Sequence, residues 1–353
     1  MIHTYRPQAA FQALAPGDSL LIADDYAELV LHDLRGTPEQ PIYVHPTTLL
    51  PHRLGRLVIH ESCEYVQVNG LQNLIICPFE PLPEDKETPL VQVEGIGNVI
   101  KGCLIQTAER AEHWHAEDWQ ALARDGIQLH GQGNAAIGNL IRYVRHGIEA
   151  FGVESQVLGN LYRDYCGDGI RLLNHGLEVA YNMGGFVHVG NPNEHRDHMQ
   201  AWQHLANSPV EGCLRELRIH HNRFYNPPDY PEAQGGLCFD GRLENAEISH
   251  NTIITNHAHG LTIASAQGCT LIGNLIAHSD PDQGSWLMLG TRKPNHPECV
   301  DNELRANLAQ RYELPPNSCK SSGHDTNAQP NGMLIAHAVL DMLEALEGRP
   351  AWL

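Results

Sequence analysis

Positive charge is scarce in this 353-residue chain, which carries 23 Lys and Arg against 42 Asp and Glu for a formal net charge of -19. Nucleic acids and anionic membranes bind through basic surface, so neither is an expected partner. A strongly acidic polymer is disfavoured too, unless basic residues gather in one place. Charged residues make up only 18% of the chain, fewer than an average soluble protein has. Long apolar runs are missing, and no segment approaches a membrane span. The opening MIHTYRPQAAFQAL has neither the basic region nor the apolar core of a secretory leader, so synthesis in the cytoplasm is expected. Paired cysteines are missing as well. The nine cysteines are an odd number without a C-x-x-C pair, which points away from a zinc ribbon or a disulfide framework. Cys103, Cys238 and Cys269 read instead as small apolar fillers of strands.

What the chain does have is internal repetition. An aliphatic residue, any residue, then Gly-Asn or His-Asn and a second apolar stretch recur as AAIGNLI at Asn139 and QVLGNLY at Asn160. The phrase returns at Asn182, Asn222, Asn251 and Asn274. The shorter steps are about 21 to 23 residues, inside the range of solenoids, and the longer ones require insertions within a coil. A second phrase interleaves with the first: RDGIQLH at 124–130, RHGIEAF at 145–151, GDGIRLL at 167–173 and RDHMQAW at 196–202, with weaker copies at 234–240, 258–264 and 283–289. Each coil therefore holds two or three strands too short to be helices, joined by tight polar turns. Asn suits such turns because it tolerates left-handed backbone, and stacked Asn side chains can hydrogen-bond along the ladder. The expected fold is all-β, a right-handed single-stranded parallel β-helix with terminal helical caps.

The ends carry the capping expectation. Pro7 to Ala15 has a short helical pattern, and residues 331–347 place apolar residues at helical spacing. Solenoids need terminal elements that stop end-to-end stacking. The expected organisation is a β-helix with an N-terminal cap over 1–300, then an irregular segment and a C-terminal capping helix over 301–353.

The stretch PGDSLLIADDYAELVLHDLRGTPEQPIYVHP, followed by YVQVNGLQNLII, resembles the opening coils of chondroitinase B and of the parallel β-helix alginate lyases. The GN and DGI repeats are similar to those of the wider pectate-lyase-like superfamily, which includes phage tailspike depolymerases and uronan epimerases. The resemblance covers 1–300 and implies fold and a carbohydrate ligand. The Asp-Pro-His-Asp signature of the epimerases and the polygalacturonase motifs are absent, so it assigns no catalytic residue. It also allows a phage virion or an extracellular destination, and a homotrimer in the tailspike case.

Strand alternation then locates a candidate site. In the second phrase the Ile or Met points inward, so the next residue points outward. One outward ladder is Gln128, Glu149, Arg171, Gln200, Cys238 and Thr262. Two residues on stand His130, Phe151, Leu173, Trp202 and Asp240, and before the strands stand Asp125, His146, Asp168 and Asp197. Sugar rings stack on aromatic side chains while their hydroxyls take fixed hydrogen bonds. Cleavage adds the need for an acid, a base and a group that stabilises developing charge. Asp168, Asp197, His198, Arg171 and Asp240 are the candidate catalytic set. Asp168 with Asp197 would suit a retaining hydrolase, and Arg171 with His198 or His195 a uronate lyase. Gln128, His130, Glu149, His195, Arg196, Gln200 and Trp202 are candidate substrate contacts. Each has a plainer reading as well, as a turn cap, a surface ion pair or a contact with a loop. His198 breaks the local rule by standing where the other phrases have Gly. Insertions at 186–196, 202–217 and 222–235 flank the same coils. No cofactor is called for, a calcium ion being the one compatible addition.

The expected function is cleavage of a polysaccharide such as a capsule, an O-antigen or a uronan, by lyase or hydrolase chemistry. The alternatives are a non-catalytic glycan-binding or tail-structural solenoid, and a uronan epimerase.

Overall fold

A computed structural model describes residues 2–4, 14–47, 50–71, 73–81, 88–202, 213–231, 233, 235–290, 298–316, 318–319, 330 and 332–347. Short strands stack into three parallel sheets of twelve, ten and twelve strands. Successive coils supply one strand to each. One coil runs Ala135–Ile137 in the first sheet, Leu140–Val144 in the second and Ile148–Ala150 in the third. The next runs Gln156–Leu158, Leu161–Tyr165 and Ile170–Leu172 in register with it. The right-handed parallel β-helix expected from the repeats is the observed fold.

The core is built from inward files that run the length of the solenoid. Ile127, Ile148, Ile170, Met199, Leu237, Leu261 and Leu287 are aligned strand on strand in the third sheet, and all are buried. Ile100, Ala136, Val157, Val179, Ile219, Ile248, Leu271 and Leu304 form the corresponding file of the first. At about 1.5–3 kcal/mol for each fully buried aliphatic side chain, these files are the main stabilising term. The second sheet takes larger rings, Tyr162, Tyr165 and Phe224, into the same core. Gly184 makes this possible, because a Cβ there would stand 2.2 Å from the Tyr162 ring.

The Asn file is present in the predicted register. The side-chain Nδ2 of Asn139 donates to Oδ1 of Asn160 at 3.0 Å, and Asn160, Asn182, Asn222 and Asn251 each donate in the same way to the next Asn. Each Oδ1 also accepts the backbone N–H of the preceding Asn. Asn307 extends the file by accepting from Asn274 at 2.8 Å. The residue before each Asn lies in the left-handed region: Gly138, Gly159, Tyr181, His221, His250, Gly273 and Ala306.

The ends depart from expectation. The solenoid continues past residue 300, since Glu303–Arg305, Leu308–Ala309 and Arg311–Glu313 add a strand to each sheet. Helix α2, Gly332–Glu347, matches the predicted helix but does not close the end. Its Met342 and Leu346 bury against Phe186, Tyr225, Ile254 and Ala277, on the flank of the second sheet. At the other end, Ile2–Thr4 pairs with Ser19–Ile22 as a further strand of the first sheet, and most of the helical pattern at Pro7–Ala15 falls outside the described residues. A short helix absent from the sequence reading, α1 (Ala116–Leu122), buries Trp119 against Tyr143 and Cys166. Eight of the nine cysteines are buried, and no disulfide joins any of them among the described residues.

Candidate functional site

The outward ladder of the third sheet has the predicted register. Gln128 pairs with Glu149, Glu149 with Arg171, Arg171 with Gln200, Gln200 with Cys238 and Cys238 with Thr262. The chemistry along it is a continuous lattice. Gln128 Nε2 donates to Glu149 Oε2 at 2.9 Å, Arg171 Nη1 meets Glu149 Oε1 at 3.3 Å, and Arg171 Nε donates to Asp168 Oδ2 at 2.7 Å. Arg145 holds Asp125 bidentately at 2.8 and 2.7 Å. His130 lies flat on Phe151, with ring centroids 4.7 Å apart.

The lattice is not the open surface that alternation alone suggests. Asp168 and Asp197 have no exposed surface, and Glu149, Arg196 and Gln200 are buried. Asp168 has both oxygens engaged, Oδ2 by Arg171 and Oδ1 by the backbone N–H of Asp197 at 3.0 Å. Its own N–H donates to His146 Nδ1 at 2.8 Å. Asp168 thus fastens two successive coils together. The insertion at 186–196 accounts for part of the cover: Glu194 meets His146 Nε2 at 3.2 Å. Burial opposes ionisation of Glu194, but His146, Arg145 and Arg171 outweigh it and hold its carboxyl below the usual value. Burial, with Asp125 adding, pushes the Glu149 carboxyl up.

His198 is the sharpest correction. It occupies the position of Gly169 in the coil before, where a Cβ would point at the Tyr162 ring of the core. Its imidazole accordingly lies inside the solenoid, stacked on Phe224 at 5.6 Å, with Nδ1 2.5 Å from the Tyr165 hydroxyl. Nε2 is buried without a hydrogen-bond partner, and burial pushes the ring down to about 3. A base working on the outer face cannot be this residue.

What reaches the outer face is His195. Its side chain is 46% exposed, and Nδ1 lies 2.7 Å from Asp197 Oδ2. The other carboxylate oxygen, Asp197 Oδ1, is buried without a hydrogen-bond partner. It lies against Gly235, where a Cβ would come within 2.4 Å of it. Burial pushes Asp197 up to about 6, with the charge of Asp168 adding and His195 opposing. The hydrogen bond to Asp197 in turn raises His195, and Asp240 adds to that effect. Asp240 is half-buried and aligned with Trp202, whose side chain lies outside the described residues.

Sequence reasoning missed part of this neighbourhood. His257 and His259 are close enough to His195 to be held below the usual imidazole value by it, after burial as the main cause, and His259 falls to about 4. Trp286 packs on His259 at 4.6 Å and lies under Arg311 at 5.2 Å. The weaker phrases at 258–264 and 283–289 were the available signal, but the key rings stand at the strand entrance and not at the outward position counted from the Ile. Among the described residues no three His, Cys, Asp or Glu converge so as to hold a metal ion.

No family profile matches the chain, and no curated protein sequence matches it. Solved structures do. The Dettilon tailspike protein (gp208) aligns at a TM-score of 0.56 and 15% identity over 89% of this chain, which spans 60% of that protein's length. An alginate lyase from Paenibacillus sp. str. FPU-7 aligns at 0.42 and 11% identity, over 89% of this chain and 92% of that one. A GH136 lacto-N-biosidase from Eubacterium ramulus aligns at 0.43 and 12%, over 89% and 61%. At such identities a likeness speaks to fold alone. By its three parallel sheets and its likeness to the tailspike, this chain is a right-handed parallel β-helix.

Proposed function

We propose that this chain is a polysaccharide-cleaving enzyme that works on the outer face of its third sheet, with His195 and Asp197 as the proton-transferring pair. The observation that carries the reading is the 2.7 Å contact between His195 Nδ1 and Asp197 Oδ2. A buried carboxylate fixes the ring through one nitrogen and favours its protonated form. The half-exposed ring leaves Nε2 as the nitrogen available to a ligand. That is the arrangement of a general acid with an orienting anion behind it. Asp240, whose charge acts on His195, is the candidate second carboxylate. Asp168 and Arg171 serve as positioning residues, because Asp168 holds the Asp197 backbone and Arg171 holds Asp168.

Hydrolysis fits better than elimination from a uronate. Elimination needs a cation to neutralise the substrate carboxylate, and Arg171 and Arg145 are engaged by Asp168, Glu149 and Asp125. A hydrolase needs a proton donor poised near working pH, which the His195–Asp197 pair supplies. The second reading, a non-catalytic glycan-binding solenoid of a trimeric virion tail, draws on the same saturation: a lattice so fully paired internally would also hold a purely structural face.

The test is incubation with capsular, O-antigen and uronan polysaccharides, following new reducing ends and the ultraviolet absorbance of unsaturated uronate. Reducing ends without that absorbance are expected, lost in His195→Ala. Unsaturated product would replace hydrolysis by elimination. Binding without any cleavage would favour the second reading.

A further inference from the structure

The left-handed file before the Asn ladder is occupied by glycine at Gly138, Gly159 and Gly273, but by Tyr181, His221 and His250 between them. Left-handed backbone suits glycine and penalises residues with a Cβ. Three consecutive coils therefore carry bulky rings where the fold favours none. The rings are in contact: Tyr181 stacks on His221 at 5.1 Å and 23°, and His221 on His250 at 5.1 Å and 14°. The stack stands on the solvent side of the first sheet, with Tyr181 63% exposed.

The two ends of the stack differ. Beyond His250, Gly273 closes on the imidazole, and a Cβ there would stand 3.0 Å from it. Beyond Tyr181 the next two positions are Gly159 and Gly138, where a Cβ would touch nothing within 4 Å. One face of the phenol ring is thus covered by His221, while the other looks along an open glycine shelf. The row directly before the shelf is Ile137, Leu158, Ala180 and His220, and a polar row stands one step further back along the strands. His220 lies edge-on to Tyr181 at 5.5 Å and meets Glu178 Oε1 at 3.4 Å; Arg218 reaches the same oxygen at 3.3 Å; Gln156 Nε2 donates to Glu178 Oε2 at 3.2 Å.

We infer that Tyr181 and the shelf at Gly159 and Gly138 form a second glycan-binding site, non-catalytic and on a different sheet from the candidate cleavage site, in which a sugar ring stacks on Tyr181 and its hydroxyls meet Gln156, Glu178 and His220. A flat ring with a carboxylate, an amide, a guanidinium and an imidazole nearby suits a polyhydroxylated ring. Burial, with His220 and His250 adding, holds His221 below the usual imidazole value. The net charge of -19 disfavours nucleic acid. The site shares its coils, 178 to 250, with the His195 region, so one long polymer could engage both and gain from the linkage. It rests on the preceding reading only for the ligand class.

The test is native electrophoresis through gels cast with the same capsular, O-antigen and uronan polysaccharides, comparing wild type with Tyr181→Gly and His221→Gly. Glycine relieves the left-handed backbone, so these variants should melt no lower than wild type. Tyr181→Gly should weaken retardation by the bound polysaccharide tenfold or more, while cleavage of short oligosaccharides stays unchanged. Full retardation of Tyr181→Gly would overturn the site, as would wild type passing every gel unretarded. A changed oligomeric state with unchanged retardation would overturn it too, and assign the stack to an interface between copies. Retardation that depends on Tyr181 without any cleavage would keep this site and sink the enzymatic reading.

Discussion

The ring of His195 and the carboxylate of Asp197, two residues apart in sequence, meet at 2.7 Å across the entrance of one strand, one of them half-exposed and the other wholly buried. The chain makes this contact because the segment before the strand folds back over it. The buried partner cannot leave, so the exposed ring has a fixed direction.

Activity should follow a bell-shaped pH profile. The working form holds Asp197 ionised and His195 protonated. Activity therefore falls below about 6, where Asp197 takes up a proton, and falls again above the raised His195 value. In Asp197→Asn the rate should drop on the order of a hundredfold or more. Its residual profile should lose the acid limb, and its alkaline limb should move down because the anion behind the ring is gone. An unchanged profile would exclude the pair.

Asp168→Asn should act on stability before chemistry. It leaves Arg171 Nε beside an uncharged amide in a buried lattice, while the Oδ1 that accepts from the Asp197 backbone is kept. Breaking a buried ion pair from one side costs about 3–5 kcal/mol, read as a lower denaturation midpoint at unchanged m-value. Melting equal to wild type would show that the lattice is more hydrated than its burial implies.

His198→Phe, made together with Tyr165→Phe so that the hydroxyl bonded to Nδ1 is not orphaned, should stabilise the chain or leave it neutral, since the imidazole sits on Phe224 with a buried nitrogen unpaired. The effect should depend on pH. The folded-state value near 3 lies below the unfolded value, so wild type loses stability as pH falls below 6.5. That loss reaches about 2 kcal/mol by pH 5. The variant should lack this component in denaturant titrations at pH 7 and pH 5, and its cleavage rate should match wild type.

Asn222→Ala removes the hydrogen bonds that join Asn182, Asn222 and Asn251 and the one to the Val179 carbonyl. Unsatisfied buried groups cost about 1–3 kcal/mol each, so a loss of several kcal/mol is expected by chemical denaturation. A loss below 1 kcal/mol would mean that water replaces the amide.

The repeat itself was legible. Spacing of Asn139, Asn160, Asn182, Asn222, Asn251 and Asn274 is a local property of a coil that must close at fixed length, so the register and the outward row from Gln128 to Thr262 could be counted from the sequence. Asn307 stands in ELRANLA with Leu304 before it and Leu308 after it, and departs from the repeat only in Ala306 standing where the other copies have Gly, His or Tyr.

Depth was not legible. Alternation tells which side of a strand a residue takes, but it cannot tell whether another segment covers that side or where a corner turns the next residue. Asp168 and Asp197 are interior groups held among Arg171, His146, His195 and Gly235, and His198 entered the core because a corner position, unlike a strand position, aims inward. The influence of His195 on His257 and His259 links residues more than two coils of sequence apart, and the flank occupied by Met342 and Leu346 is set by apolar residues of a distant sheet. Local period fixes the solenoid; non-local burial, which depends on what packs over each face, decides which of its polar residues can act.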